Sequence, residues 1–265
     1  MLELAAGNYL VGKLLVIDKP LTLRAAAETR PVIGFERTAL FEIQQGGSLK
    51  LQGLRLSGAN APDNAGNSLV RTSRYSMLNA YQLLVEDCDI EKLDVNHSFN
   101  FFTVAKGTFA YSIDIRNSRF SDITGAILEL DRETDDLGLY NVEYVSIVDS
   151  TFTNIGEALA VLYRGGTDES TFGPHFELRA TTLDNVGHNK RNKSGSSVSL
   201  LGVQVAGIHG NEFNSSRPVR VMLTVGDPIT TITGNRFVGT PAPEISGGEI
   251  SGGEVTTLGD NVMVK

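Results

Sequence analysis

The densest group of reactive side chains lies in the segment "DNVGHNKRNKSGSS", residues 184–197. Within six residues it places His188, Lys190, Arg191 and Lys193. Neighbouring positive charges repel one another, so a bound anion would stabilise this segment. We therefore predict an anion-binding loop. The alternative is a solvated turn whose charges keep molecules from aggregating.

A second candidate lies in "LYRGGTDESTFGPHF", residues 162–176. Tyr163 can stack on a sugar ring and Arg164 can pair with a carboxylate; the alternative is a strand end with an ordinary surface arginine. His175 is either a further contact or a loop histidine with satisfied hydrogen bonds. The predicted substrate-binding residues are Tyr163, Arg164, His175, His188, Lys190, Arg191 and Lys193.

Further charged and aromatic side chains lie on, or just after, the second predicted strand of each repeat. We expect them to point outward as one stripe, along a face where an extended polymer can lie. They are Arg71, Arg74, Lys106, Glu129, Arg132, Tyr163, Arg164 and Arg220.

Other motifs give weaker signals. The acidic run "DRETDD" (131–136) resembles a calcium loop but lacks the glycine and the distal glutamate of an EF-hand, so we interpret it as a solvated acidic loop. His97 and His209 are interpreted as structural. No nucleophile elbow, zinc-protease, phosphate-loop or paired-cysteine zinc motif occurs. The residues by themselves identify no catalytic residue and no metal ligand.

A repeated unit must position these residues. The pattern apolar, any, apolar, any, small, small or polar, any, bulky apolar recurs from "LKLQGLRL" (49–56) to "TTITGNRF" (230–237) at spacings of 24–34 residues. Repeats of this length indicate a stacked architecture, and alternating apolar residues indicate strands. The sequence therefore predicts an all-β, right-handed parallel β-helix of about seven to nine coils.

Stacking also predicts rows of like side chains, through amide hydrogen bonds and aromatic contact. We expect one domain over residues 1–265, with 241–265 a loose final coil or cap. The predicted rows are Cys88, Ser118, Ser150, Thr181, Asn211 and Asn235, and Phe120, Phe152, Leu183, Phe213 and Phe237.

Composition narrows the function classes. The chain has 265 residues, a net charge of −8 and one cysteine, Cys88. A single cysteine excludes an intrachain disulfide, and we interpret Cys88 as a small buried residue. The acidic balance argues against nucleic acid as the main partner, and no apolar run has the length of a membrane span.

Four segments carry a family resemblance: "GGSLKLQGLRLSG", "APDNAGNSLVRT", "LYRGGTDESTFGPHF" and "DNVGHNKRNKSGSSVSLLGVQ". They resemble the C-terminal β-helix domain of two-domain alginate lyases of polysaccharide lyase family 6, within the chondroitinase-B-like superfamily. The resemblance extends over roughly residues 4–240.

The resemblance implies a bacterial, periplasmic or secreted protein whose parent enzyme degrades alginate by β-elimination. In that family the catalytic lysine, arginine and calcium site belong to the N-terminal β-helix. This chain contains no Glu-x-Glu pair, so no catalytic residue, metal or other cofactor is assigned to it; calcium is expected in the parent's catalytic domain. The implied partners are that domain and alginate or a similar polyuronate, with no nucleic acid and no membrane.

Three functions remain open. The leading one is an accessory domain, excised from a two-domain lyase and inactive alone. The second is a self-sufficient uronate lyase that uses Tyr163, Arg164, His188, Lys190 or Arg191. The third is a purely structural solenoid.

Overall fold

The computed structural model describes residues 1–135, 137–247 and 255–264. In these ranges all regular structure is β, and the strands form three parallel sheets of 10, 10 and 9 strands. The chain visits the three sheets in rotation, so each coil adds one strand to each sheet. The predicted parallel β-helix and its coil number are confirmed. No helix in the described part of the chain has the length and apolarity of a membrane span.

The strands are numbered in chain order. Sheet 1 contains β1 (Leu2–Leu4), β4 (Pro20–Ala25), β7 (Ser48–Gln52), β10 (Tyr81–Glu86), β13 (Ala110–Arg116), β16 (Val142–Val148), β19 (His175–Arg179), β22 (Val205–His209), β25 (Ile229–Thr233) and β28 (Val255–Gly259). Sheet 2 contains β2 (Asn8–Val11), β5 (Val32–Phe35), β8 (Arg55–Ser57), β11 (Asp89–Leu93), β14 (Arg119–Ile123), β17 (Thr151–Ile155), β20 (Thr182–Val186), β23 (Glu212–Asn214), β26 (Arg236–Val238) and β29 (Val262–Val264). Sheet 3 contains β3 (Leu15–Ile17), β6 (Ala39–Ile43), β9 (Ser68–Thr72), β12 (Asn100–Thr103), β15 (Leu128–Leu130), β18 (Ala160–Tyr163), β21 (Val198–Leu201), β24 (Val219–Leu223) and β27 (Glu244–Gly247).

The eight-residue pattern encodes the corner between sheets 1 and 2. Its first and third residues point into the core, as Val145 and Ile147 do. Its fifth residue has a left-handed backbone, with φ of 51° at Asp149 and 62° at Gly210. Glycine and short polar residues adopt this conformation at the lowest cost, which explains why the pattern requires a small or polar residue there. The bulky eighth residue, such as Phe152, already belongs to the strand of sheet 2.

A continuous hydrogen-bonded ladder connects these corners through the core. Each ladder residue's backbone N–H donates to the side chain of the equivalent residue one coil later. The N–H of Cys88 donates to Oγ of Ser118 at 3.1 Å, and that of Asn211 donates to Oδ1 of Asn235 at 2.9 Å. The predicted row is therefore present, and Asn261 extends it by one coil, since its Oδ1 accepts from the N–H of Asn235 at 3.0 Å.

Cys88 belongs to this ladder. Its thiol is buried and donates to the carbonyl of Glu86 at 3.2 Å. Burial raises the pKa of Cys88 to about 12, so the thiolate needed for nucleophilic or redox chemistry is disfavoured. The side chain therefore has a structural role.

The aromatic row is also present. Phe120 stacks on Phe152 with ring centroids 4.8 Å apart, and Phe213 stacks on Phe237 at 4.7 Å. Offset or edge contacts between rings add stability beyond the area that they bury. Like side chains thus meet in the interior.

The segment predicted as a loose final coil continues the three sheets where the structure describes it. β27, β28 and β29 pair with β24, β25 and β26. Most of their side chains are exposed or half-buried. The sequence "ISGGE" occurs twice in this segment, at 245–249 and 250–254. Residues 248–254 and 265, which include the end of the first copy and all of the second, lie outside the described residues.

The Asn235→Ala substitution should lower the free energy of unfolding by about 1–3 kcal/mol, because it leaves the buried N–H of Asn211 without its acceptor. Urea unfolding followed by circular dichroism measures the change. The control is Asn60→Ala, at an exposed turn position. Equal effects of the two substitutions would contradict the role given to the ladder.

Candidate functional site

The outer face of sheet 3 is bordered by the longest connections between the described strands. Connections between sheets 1 and 2 are mostly two residues long, whereas 131–141, 164–174 and 187–197 each contain 11 residues and all adjoin sheet 3. Loops lie at the surface and commonly carry binding residues on a rigid scaffold. We call this face and its bordering loops the sheet 3 groove.

One row of outward side chains forms the floor of the groove. These residues occupy equivalent register positions on successive strands and alternate with core residues. The row is Glu42, Arg71, Thr103, Glu129, Val161, Ser199, Arg220 and Glu244.

Most cations predicted for the stripe already have acidic partners. Nη2 of Arg71 lies 2.8 Å from Oε2 of Glu42, and Nε of Arg220 lies 2.7 Å from Oε2 of Glu244. Lys106 beside the floor pairs with Asp135. A carboxylate ligand on the floor would have to compete with these internal pairs.

Arg164 is not part of the outward stripe, which corrects that prediction. Its side chain is only 3% exposed, and its Nη2 lies 3.3 Å from Oδ2 of Asp168. Its Nε and Nη1 are buried without a hydrogen-bond partner among the described residues. Gly138 and Asp168 place the loops 131–141 and 164–174 against it. Arg164 therefore organises two loops and does not face solvent, while Tyr163 is half-buried at the end of β18.

The centre of the floor carries a partly buried carboxylate. Oε2 of Glu129 accepts hydrogen bonds from Nδ2 of Asn100 at 2.9 Å and Nη2 of Arg132 at 2.7 Å. Burial raises the pKa of Glu129, and the charge of Arg132 opposes this rise. Burial, followed by the charge of Glu129, also raises the pKa of Glu157. Sequence reasoning missed Asn100 and Glu157, because neither belongs to a recognisable motif.

The basic loop (187–197) is held in place by its asparagines. Nδ2 of Asn192 donates to the carbonyls of Gly187 at 3.1 Å and Ser196 at 2.9 Å, which closes the loop. Asn189 lies across earlier coils, with Nδ2 3.4 Å from the carbonyl of His97 and 3.3 Å from that of Thr124. The loop therefore leans along the edge of the groove over several coils.

The charged groups of this loop face solvent. His188, Lys190, Arg191 and Lys193 are exposed, and none of them forms an ion pair with a carboxylate of the described chain. Lys193 lies near enough to Glu129 and Glu157 for its charge to oppose the rise in their pKa. The structure thus brings four predicted residues together on one loop.

Arg217 adds a cation that sequence reasoning missed. Its stem lies beside Gly187, and its backbone N–H donates to the carbonyl of Val186 at 2.9 Å. It belongs to the next coil and reaches the loop only through stacking. Placing the repeats in register is the signal that could have identified it.

His175 lies apart from the other predicted residues. It begins β19 on the outer face of sheet 1, with its ring centroid 5.1 Å from that of Tyr144. His209, on the same sheet, has Nδ1 2.9 Å from Oγ1 of Thr233. The structure does not bring His175 together with the basic loop.

The acidic run 131–136 distributes its carboxylates to different partners. Glu133 is buried and accepts from the backbone N–H of Gly107 at 2.5 Å, and Asp131 lies 3.8 Å from Nε of Arg132. Asp136 lies outside the described residues. Within the part of the chain that the structure describes, no group of three or more acidic, histidine or cysteine side chains is arranged to hold a metal.

Comparison with solved structures finds a polysaccharide lyase family 6 alginate lyase, AlyGC. The two share 45% sequence identity over 99% of this chain with a TM-score of 0.95. An arginine-to-alanine mutant of AlyGC also matches, with 45% identity, 99% coverage and a TM-score of 0.96. This chain spans only 36% of the length of either. No protein-family model matches the sequence, and no curated protein matches it.

Identity at this level supports a relationship to a polysaccharide lyase in addition to a shared fold. The likeness extends along nearly the whole of this chain and to about a third of the alginate lyase. The sequence resemblance to a polysaccharide lyase family 6 alginate lyase is thereby supported.

The raised pKa of Glu129 leads to a pH-dependent expectation. The contribution of Glu129 to the free energy of unfolding is fully present below its ordinary pKa of 4.5. This contribution is lost as the pH rises through the raised pKa. Glu129→Gln cannot ionise, so its stability relative to the parent should increase from about pH 4 to about pH 7. Urea unfolding across this range measures the difference. The control Glu36→Gln, at an exposed position, should show a smaller trend; a decreasing difference for Glu129→Gln would contradict the assignment.

Proposed function

We propose that this chain is an accessory β-helical domain of a larger alginate lyase. In this proposal it supports an N-terminal catalytic β-helix domain and contacts the acidic polysaccharide through the basic loop. The similarity to AlyGC, which covers 36% of that enzyme's length, supports the relationship. A periplasmic or secreted bacterial location, where the enzyme meets its polymer, belongs to the same proposal.

The observation that best supports contact with the substrate is the unpaired positive charge of the basic loop. Lys190 and Arg191 are exposed and lack carboxylate partners among the described residues, whereas Arg71 and Arg220 on the floor are paired. In a chain of net charge −8, local positive charge attracts an anionic ligand. A polyuronate carries a carboxylate on every sugar unit and can engage several loop cations at once.

The partner domain would carry the chemistry. β-Elimination of a uronate needs a base for the C5 proton, an acid for the C4 oxygen, and a positive group that stabilises the developing charge. Arg164 is buried and Arg132 is bonded to Glu129. His188, Lys190 and Arg191 lie on an exposed loop, where water weakens electrostatic stabilisation of a transition state.

Alginate binding should depend on the basic loop. In affinity electrophoresis through gels containing alginate, the parent chain should be retarded. Lys190→Ala/Arg191→Ala should weaken binding by roughly two- to thirtyfold, as expected for two exposed cations. The matched control Lys13→Ala/Lys19→Ala removes the same charge from the first coil and should retain binding. Unretarded mobility of the parent would favour the purely structural alternative.

The isolated chain should not cleave alginate. With polymannuronate and polyguluronate as separate substrates, the absorbance of the unsaturated product should stay at the level of a protein-free blank. Turnover by the parent that disappears in Lys190→Ala would support the self-sufficient lyase instead.

A further inference from the structure

A polar cleft opens in the N-terminal part of the sheet 3 groove. It has a volume of about 560 Å³ and lies on the coils that contain β6, β9 and β12. Pockets for small ligands commonly measure about 300–1,000 Å³. Its charged and aromatic lining residues are Glu42, Arg71, Arg74 and Tyr75, with Gln44 and Thr103 among the polar ones.

The carboxylate of Glu42 is already fully engaged. Its Oε2 accepts from Nε of Arg71 at 2.9 Å and from Nη2 at 2.8 Å, while its Oε1 accepts from Nε2 of Gln44 at 2.8 Å. The side chain is only 15% exposed. Glu42 therefore neutralises Arg71 and leaves no carboxylate in the cleft for another cation.

Arg74 is the cation that remains available. Its Nη2 donates to the hydroxyl of Tyr75 at 2.7 Å, and its guanidinium carbon lies 4.9 Å from the centroid of that ring. It forms no ion pair with any carboxylate of the described residues. Two arginines and one glutamate give the lining a net charge of +1, in a chain whose net charge is −8.

We infer that this cleft is a binding subsite for one carboxylated sugar unit. Arg74 would pair with the sugar carboxylate through charge-assisted hydrogen bonds. The ring of Tyr75, which is 65% exposed, would pack against the apolar face of the sugar, and Gln44 and Thr103 offer partners for its hydroxyls. This assignment rests on the proposed function for its ligand class.

The position of the cleft fits the same ligand. The basic loop leans back to the carbonyl of His97, on the coil of β12, and that coil also contributes Thr103 to the cleft. The two sites therefore border one face. Since successive coils are about 4.8 Å apart, a single extended polymer can reach both sites.

A ligand too short to span both sites tests the cleft independently of the basic loop. The probe is a mannuronate trisaccharide, and the uncharged control is the mannose trisaccharide with the same linkage. By titration calorimetry, Arg74→Ala should weaken binding of the charged trisaccharide by at least about tenfold. Arg74→Lys should lie between the parent and Arg74→Ala, because it keeps the charge without the planar fork. Lys190→Ala/Arg191→Ala should change this affinity by less than about twofold.

The chain contains no tryptophan, so the fluorescence of one introduced tryptophan is a second measurement of binding. Tyr75→Trp places a single fluorophore in the cleft, and its emission should change on titration with the charged trisaccharide. The matched reporter is Tyr111→Trp on sheet 1, which replaces a side chain of similar exposure, 53%. Its emission should remain constant.

Several outcomes would overturn the subsite. These are no binding of the charged trisaccharide by the parent, equal binding of the neutral one, or unchanged affinity in Arg74→Ala. If alginate gels still retard the parent in any of these cases, the subsite is wrong and the proposed function stands. If retardation is also absent, polymer contact by this chain is wrong as well.

Discussion

The structure depends on in-register stacking of the coils, and the hydrogen-bond ladder at the corners between sheets 1 and 2 enforces it. Each ladder side chain accepts from the backbone of the coil before it, as Ser118 does from Cys88 and Asn235 does from Asn211. A register shift of one residue would leave buried N–H groups unpaired and turn core side chains outward. Because the register is fixed, equivalent outward residues of sheet 3 line up in rows, as Arg71, Thr103 and Glu129 do.

Sequence reasoning could identify the fold because interior positions repeat. Residues of the same type as Ile147 and Phe152 recur in each coil that carries the eight-residue pattern, so pattern alone places them inside. The charged residues follow no such repetition. The burial of Arg164 results from two long loops that fold over it, and the pairing of Arg71 with Glu42 requires knowing which coils are neighbours. The basic loop was visible because its charges are adjacent in sequence, whereas Arg217 becomes its neighbour only through stacking.

In the sheet 3 groove, paired charges and unpaired cations lie on different elements. Its floor is internally neutralised, as the pairs Arg71–Glu42 and Arg220–Glu244 illustrate. The bordering loops carry the cations that have no acidic partner among the described residues: Arg74 near one end, and Lys190 and Arg191 on the basic loop. Paired floor charges avoid the desolvation cost of isolated ions in a partly buried sheet, while loop charges remain free to meet a ligand.

The contrast in connection length has an evolutionary consequence. The two-residue corners carry the ladder, so an insertion there would break the continuity of the interior and would be eliminated by selection for folding. The connections between the described strands beside sheet 3 range from two residues, at 18–19, to 11 residues, so different lengths are accommodated on this side. Related proteins with this scaffold can therefore change their ligand-binding loops through small insertions and deletions while the stability of the fold is kept.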